Sequence, residues 1–567
     1  MSKKKRNDVV NASSSAQPAS RSAAAASTSA SAGAPAAAAK PGRLARLPWN
    51  YIVTFILFWI FCYCIYGDVF ARSAEANFIT TSDTQMKFLL DKSWGNVYWF
   101  SRWGLLVFDN LLLGSVLLSL VLTFIVVLAD RLLGLPKRWC GTSALISAAI
   151  LGWMLSRGTN LYYKSEPSLI VLIPVLVLVV LAVLVLVKWV VLRKQPRKAQ
   201  APVGVFRGLF PGAVVAIVLF AGLTFYALKW NENVILTARM QNRTLVADWQ
   251  GIIDDATSAK RPSRAVAAYY AMALVQTNQL LERLFDLPFD FPDLELDKRD
   301  GNEEYGIFLT DASLYAGLVN VAYRCGMDHT VVNGPNLYYL KCMALCAILN
   351  EEHELARKYL HVIGSVPFEQ DFVEKYTPMI EDRELVKNTP ELSCILGLAP
   401  LEQRFEQNYV SPAFLGYNAG LNTGSDPSLV TALTACIYSK DLVRCEPHLS
   451  IYAQRHPNNL PPVVQQALFL ASRNSPTLAQ SFPDIVRNQQ TVHAAFIMAA
   501  TPIVEERARA FEGKSDKERE EIRQEYNAKI RAALRDDWIG SYYYYYYCEN
   551  NDRNQVKPAG SSKSAVN

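Results

Sequence analysis

The chain has 567 residues, enough for several domains, and 51% of them are hydrophobic while only 19% are charged. Its formal net charge is +6, and the basic residues are concentrated in the N-terminal tail and beside apolar segments rather than in one patch. This distribution is typical of a membrane protein that follows the positive-inside rule, and it argues against a nucleic-acid-binding groove.

The N-terminal segment, residues 1–46, is rich in alanine and serine, basic, and free of aromatic residues. Such a composition buries too little apolar surface to fold, so we predict a disordered basic tail. No signal-peptide cleavage site follows the first apolar run, and that run lies far from the N-terminus. We therefore expect the first apolar run to remain in the protein as a membrane anchor.

Five apolar segments in residues 47–228 predict a transmembrane domain of about five helices. They cover residues 50–66, 111–129, 143–155, 169–191 and 208–228, and the third is the shortest. The loops after the second and fourth segments carry basic residues, namely Arg131, Lys137, Arg138, Arg193, Lys194, Arg197 and Lys198. The positive-inside rule thus predicts an inner-membrane protein with a cytoplasmic N-terminus and a periplasmic C-terminal part. Without the third segment, the predicted side of the C-terminal part reverses.

The first predicted outer loop, residues 67–104, is rich in aromatic residues, and those of "WGNVYWFSRW" suit the interfacial belt of a membrane. Three acidic residues, Asp68, Glu75 and Asp109, lie in this loop or beside the second span. An ionisable residue at membrane depth is a functional candidate by default. The simpler interpretation places Asp68 and Asp109 among the lipid headgroups, where a carboxylate has little energetic cost.

Residues 229–547 change to a helical-repeat pattern. Residues 335–367 predict a helix, the turn "NEEH" and a second helix, with apolar and small residues where a tetratricopeptide repeat places its packing positions. These residues are Leu340, Ala344, Ala347, Ala356, Leu360 and Ile363. Residues 426–471 predict a second helix pair, and both units are close to the repeat period of about 34 residues. The predicted fold is all-α, a multi-pass transmembrane domain followed by a tetratricopeptide-like α-solenoid and a disordered tail at 548–567.

The reactive side chains predict no metal site and no cofactor. The chain has ten cysteines and six histidines, and they do not cluster at metal-ligand spacing. Six consecutive tyrosines, residues 542–547, would point to every face of a helix, so we interpret them as packing residues at the end of the fold. Contact with a carbohydrate or with the membrane surface is the alternative for them.

Three stretches carry a resemblance to a known family: "ANFITTSDTQMKFLLDKSWGNVYWFSRWGLLVFDNLLLGS", "YYAMALVQTNQLLERLF" with "GPNLYYLKCMALCAILNEEHELARKYL", and "DDWIGSYYYYYY". They resemble a family of uncharacterised multi-pass membrane proteins from Bacteroidales-type bacteria, catalogued as a domain of unknown function. The resemblance covers residues 50–547 and implies a tetratricopeptide-like C-terminal half. It implies no activity and transfers no functional residue.

Two hypotheses of function follow. The favoured one is a membrane-anchored scaffold whose periplasmic repeat domain binds a protein or an envelope polymer on its concave face. The residues predicted for that face are Tyr269, Gln276, Tyr338, Tyr339 and Lys341. The alternative is a membrane enzyme of envelope polymer assembly, transferring a sugar from a lipid-linked donor with Asp68, Glu75 or Asp109 as base. Membrane lipid is a partner in both, and nucleic acid in neither. A transport subunit is a third reading, but it would require polar residues inside the nearly pure apolar spans.

Overall fold

The computed structural model describes residues 48–136, 139–163, 166–191, 211–288, 303–399 and 426–549. Within these ranges the chain forms helices joined by turns and no strand, which confirms the all-α prediction for the described part. The predicted tail at 1–46 lies outside them, as do the basic loop residues at 137–138 and 193–198 and most of the predicted C-terminal tail. All described residues belong to one compact unit, Pro48–Asn567.

The helices of the N-terminal part follow the predicted apolar segments and the loop between the first two. They are α1 (Trp49–Ile60), α2 (Gly67–Glu75), α3 (Asp83–Leu90), α4 (Gly95–Leu105), α5 (Leu111–Leu133), α6 (Ala144–Arg157), α7 (Asn160–Tyr163), α8 (Leu169–Val191) and α9 (Gly212–Trp230). One π-helical turn, Phe61–Ile65, extends α1, and the chain then bends by 64° into α2.

Five of these helices, α1, α5, α6, α8 and α9, run between the same two ends of a bundle. At one end, which we call the Asp130 end, the Asp130 carboxylate accepts hydrogen bonds from the Tyr51 hydroxyl (2.9 Å) and the Gly141 amide (2.6 Å). The Lys188 ammonium, near the end of α8, donates to the Leu132 carbonyl (2.5 Å). At the opposite end, Arg102 near the end of α4 pairs with Glu166 before α8 (2.5 Å).

The start of α9 is held at the Asp130 end by a close backbone approach. A Cβ atom on Gly212 would lie 1.9 Å from the Cys140 carbonyl oxygen, so only glycine fits at this position. The Asn50 side-chain amide donates to the same carbonyl (2.8 Å). Thus α1 and α9 meet at the turn that precedes α6.

Three helices, α5, α8 and α9, are long and apolar enough to cross a membrane, and the bent pair α1–α2 is a fourth if it counts as one span. The predicted segment at 143–155 forms α6, a helix of only 14 residues. At 1.5 Å per residue α6 is about 21 Å long, less than the roughly 30 Å hydrocarbon core of a bilayer. Three of the five predicted spans are therefore confirmed by length and composition, consistent with a membrane protein.

The C-terminal part is a longer series of helices. They are α10 (Glu232–Leu245), α11 (Trp249–Ser258), α12 (Arg264–Gln276), α13 (Leu280–Arg283), α14 (Glu303–Tyr315), α15 (Val319–Asn333), α16 (Leu337–Leu349), α17 (His353–Gly364), α18 (Gln370–Tyr376), α19 (Arg383–Asn388), α20 (Pro390–Leu398), α21 (Asp426–Tyr438), α22 (Leu442–Arg455), α23 (Pro462–Ser472), α24 (Pro476–Ser481), α25 (Pro483–Ala510), α26 (Asp516–Trp538) and α27 (Tyr542–Cys548).

Helices that follow one another in the C-terminal part pack against each other, from α14 to α17 and from α21 to α23. Two large hydrophobic cores result. One joins α12 with α23 and α27, and the other joins α16 and α17 with the N-terminal hairpin of α3 and α4 through Met86 and Leu89. The α3–α4 hairpin therefore packs on the C-terminal helices as well as on α8.

The tyrosine run forms α27 and packs into the first of these cores. Ser541 caps the helix by accepting a hydrogen bond from the Tyr544 amide (3.1 Å). Tyr542 and Tyr545 are buried and donate their hydroxyl protons to backbone carbonyls of α21, whereas Tyr547 is 43% exposed. The structure confirms the interpretation of this run as packing residues with one edge at the solvent.

Candidate functional site

Helix α2 presents three charged residues on one face. Asp68, Arg72 and Glu75 are spaced by four and three positions, which places them on the same side of an α-helix. That side packs against α10 of the C-terminal part. The apolar helix α1 is thus followed, after the bend, by the amphipathic helix α2, whose charged side chains face the C-terminal helices.

Arg72 lies at the centre of a buried polar cluster. Its side chain is buried, its Nε donates to the Gln241 side-chain oxygen (3.0 Å), and its guanidinium lies 3.6 Å from the centre of the Tyr338 ring. The hydroxyls of Tyr338 and Tyr269 both donate to the buried Asp311 carboxylate, the latter at 2.5 Å. Because isolated buried charges are costly, the nearby Asp311 carboxylate helps to compensate the buried Arg72 cation.

Burial controls proton binding in this cluster. It raises the pKa of Asp311, although the two phenol hydrogen bonds and Arg72 act in the opposite direction. It also raises the pKa of Tyr269 and of Tyr338 well above the usual value for a phenol, so both remain hydrogen-bond donors at neutral pH.

A histidine borders the cluster without carrying charge. Burial lowers the pKa of His329 to about 4, so the ring is neutral at physiological pH. Its Nε2 lies 3.0 Å from the Tyr163 carbonyl, which makes Nε2 the protonated nitrogen. The ring also packs on Tyr339 at 4.1 Å between centroids, which links α7 to α15 and α16.

The flanking charges of α2 are paired with cations from the C-terminal part. Glu75 accepts from the Lys341 ammonium (3.1 Å), which also binds Glu369 (2.8 Å). Burial opposes the charge of Lys341, but the two carboxylates raise its pKa overall. On the other flank, Asp68 accepts from Arg239 (2.7 Å). Two of the three predicted acids are therefore engaged in ion pairs between the two parts of the chain.

Asp109, the third predicted acid, is exposed beside the Lys341 cluster. Partial burial and the nearby Glu75 carboxylate raise its pKa, and Lys341 lowers it. Asp109 does not share a cavity with Asp68 or Glu75 among the described pockets. None of the three described pockets is lined by Asp68, Glu75 or Asp109.

The residues predicted for an exposed contact face lie mostly inside the protein. Tyr269, Tyr338 and Tyr339 are buried, Lys341 is 9% exposed, and Gln276 is partly buried. Tyr269 and Tyr338 belong to the Arg72 cluster, while Tyr339 packs on the histidine beside it. Sequence reasoning did not identify their partners Arg72, Gln241 and Asp311. The spacing of Asp68, Arg72 and Glu75 was the one local signal that could have indicated them.

An open cleft of about 600 Å³ lies between α3 and α4. Its lining combines charged, amide and aromatic side chains, namely Asp83, Thr84, Lys87, Leu90, Asp91, Asn96, Trp99 and Phe100. The rings of Trp99 and Phe100 meet edge to face, with centroids 5.0 Å apart. Asp83, Lys87 and Asp91 form no ion pair with another described residue, so their charges are available to a ligand.

The cleft lining brings an aromatic ring next to charged and amide side chains. A flat aromatic ring beside carboxylate, amide and ammonium groups suits a ligand with both an apolar face and hydroxyl groups. In the described ranges no group of three His, Cys, Asp or Glu side chains has the geometry to hold a metal ion.

These features define an all-helical protein with three helices able to cross a membrane, or four with the bent pair, joined to a larger helical part through buried charges. The chain belongs to a family of unknown function, DUF6057, whose model matches residues 156–549. The match begins at the end of α6 and reaches the end of α27, so α2 and the cleft lie outside it. Among curated proteins and solved structures, none matches the chain.

Proposed function

We propose that the chain is a membrane-anchored interaction protein that binds an envelope polymer, or a protein associated with it, at the cleft between α3 and α4. One observation supports this most directly: the cleft is open and carries unpaired charges beside aromatic rings, whereas most of the other candidate residues are engaged in internal contacts. Met86 and Leu89 hold the α3–α4 hairpin against the C-terminal helices, and the Arg102–Glu166 pair ties it to the start of α8.

The proposed orientation places the Asp130 end of the bundle in the cytoplasm. That end carries Arg131 and Lys188. Since five helices run between the two ends, α2, the cleft and the C-terminal part would lie on the periplasmic side of an inner membrane. Helix α6 would complete the multi-pass bundle although it is short.

We also propose tetratricopeptide-like stacking in the C-terminal part. The six predicted packing residues in 335–367 are all buried, and the small residues Ala344 and Ala356 are fully inaccessible to solvent. Helices α16 and α17, which carry these residues, pack against each other as the two helices of a repeat would.

Among ligands, a saccharide-containing polymer fits the cleft best. The apolar face of a sugar ring stacks on an aromatic side chain such as Trp99, and its hydroxyls can bond to carboxylates such as Asp83 and Asp91. The alternative function, lipid-linked glycosyl transfer, is less favoured because Asp68 and Glu75 are ion-paired with Arg239 and Lys341.

Site-specific photocrosslinking in intact membranes tests the proposal. A photoreactive amino acid at Lys87 in the cleft is expected to capture a saccharide-positive adduct, and Trp99→Ala in the same chain is expected to abolish it. The matched control is the same probe at Gln524, an exposed position on α26 far along the chain from the cleft. A lipid-only adduct at Lys87, or equal adducts at both positions, would overturn the proposal.

A further inference from the structure

Helix α25 has one covered face and one free face. It packs against α26 and α23 through Gln489, Phe496 and Ala500, which are buried. The opposite face is solvent-exposed along the 28 residues of the helix. Its middle section, residues 488–504, contains no aspartate, glutamate, lysine or arginine.

The exposed face forms a continuous stripe. Its residues recur at intervals of three or four positions, the spacing of a helix–helix seam, and are Asp484, Arg487, Thr491, Ala495, Met498, Pro502, Glu505 and Arg509. All are exposed, and Met498 at the centre is 73% exposed. A large apolar side chain so accessible at the centre of a stripe whose middle section is uncharged is typical of a contact surface.

The charges at the two ends of the stripe are self-complementary. Asp484 and Arg509 are equally distant from the point midway between Ala495 and Met498, and Thr491 and Pro502 share that midpoint. The midpoint between Arg487 and Glu505 differs from that point by half a residue, which is less than 1 Å along a helix. An antiparallel copy of the same helix would therefore place an acid opposite a base at all four charged positions.

We propose that α25 is the contact surface for a second copy of this chain, packed antiparallel about a two-fold axis that passes between Ala495 and Met498. Such an isologous interface requires one surface to be complementary to itself, and this stripe has that property in both apolar contacts and charge. A membrane surface fits less well, because the stripe has equal numbers of acids and bases and no aromatic anchor.

Charge exchange in the full-length protein, solubilised in detergent, tests this assignment. In the Arg487→Glu variant, two acids would face each other at two symmetric places, because position 487 lies opposite Glu505 of the second copy. In the Glu505→Arg variant, two bases would face each other at the same places. Each single variant is expected to raise the dimer Kd by about tenfold, and the double variant Arg487→Glu/Glu505→Arg is expected to restore it. Sedimentation velocity over a concentration series measures the Kd.

The matched control is Arg523→Glu on α26, an exposed cation outside the stripe, which should leave the Kd unchanged. Circular dichroism confirms that each variant is folded, and Met498→Lys provides an independent disruption at the centre of the seam. A monomeric wild-type protein over the whole series would overturn the proposal. So would single charge reversals without effect, or a double variant that fails to recover.

Discussion

Replacing Arg72 by methionine removes the cation of the buried cluster and keeps much of the side-chain volume. The Asp311 carboxylate then stays buried without its compensating charge, and the Gln241 oxygen loses its donor. The reciprocal change, Asp311→Asn, leaves the Arg72 cation unbalanced. Each single variant therefore leaves one uncompensated charge in the interior, whereas the double variant leaves none.

The expected cost of each single change is at least about 1–3 kcal/mol in stability, the range for leaving a buried polar group without its partner, and more for a charged group. No reduction for solvent screening applies, because Arg72 and Asp311 are each only 3% exposed. The double variant is expected to cost less than the sum of the two, with a coupling of at least about 1 kcal/mol. It should also retain the folded state better than either single variant.

The Arg72→Met variant should also be pH-dependent. Burial already raises the pKa of Asp311 from its usual value of 3.8, and removal of Arg72 removes a cation that lowers it. Since the folded state then holds the Asp311 proton more tightly than the unfolded chain, stability falls as pH rises above about 4. The variant is therefore expected to be less destabilised at pH 5.5 than at pH 8.

Thermal unfolding of the detergent-solubilised protein, followed by tryptophan fluorescence at both pH values, measures these effects. The double-mutant cycle gives the coupling between Arg72 and Asp311 directly. Strictly additive costs, or a pH response of the opposite sign, would refute the description of the cluster as a mutually dependent charge pair.

Two further predictions concern the contacts between helices. Gly212→Ala should reduce the yield of folded protein sharply, because the new Cβ atom would overlap the Cys140 carbonyl oxygen. Gly222→Ala in the same helix is the control: its new Cβ atom would meet no atom within 4 Å, so the yield should not change. Size-exclusion profiles of the two variants make the comparison, and equal profiles would contradict the close approach. Lys341→Met should destabilise the protein more at pH 8 than at pH 5.5, since two carboxylates remain without their cation. The control is Lys375→Met, which removes a more exposed ion pair. An equal loss of stability in both variants would argue against the buried pairing of Lys341.

The sequence predicted those features that depend on local periodicity. The long apolar runs of α5 and α8 determine their length and type, and the small residues Ala344 and Ala356 indicate close helix packing. Segment 143–155 was predicted as a span on hydropathy alone. The helix there is shorter than a span because turns flank it on both sides, before Ala144 and at Gly158.

The candidate sites were harder to predict because their members are distant in the chain. Tyr338 and Lys341 are polar residues at helical spacing, a pattern that indicates an exposed face. They are buried because Arg72 and Glu75, on a helix more than 260 positions earlier, supply their partners. No single-sequence periodicity reports such a pairing, since the physical signal exists only after folding.

The distance between Arg72 and its partners has a consequence for biosynthesis. Gln241, the nearest hydrogen-bond partner in sequence, is made 169 residues after Arg72, and Asp311 and Tyr338 are made later still. At about 5–20 residues per second, Arg72 waits roughly 10–30 s for its first hydrogen-bond partner. Over that interval its guanidinium must be solvated by water or lipid phosphate at the membrane surface. A chain that ends before α14 lacks both Asp311 and Tyr338, so its Arg72 cation has neither the buried carboxylate nor the stacked phenol ring.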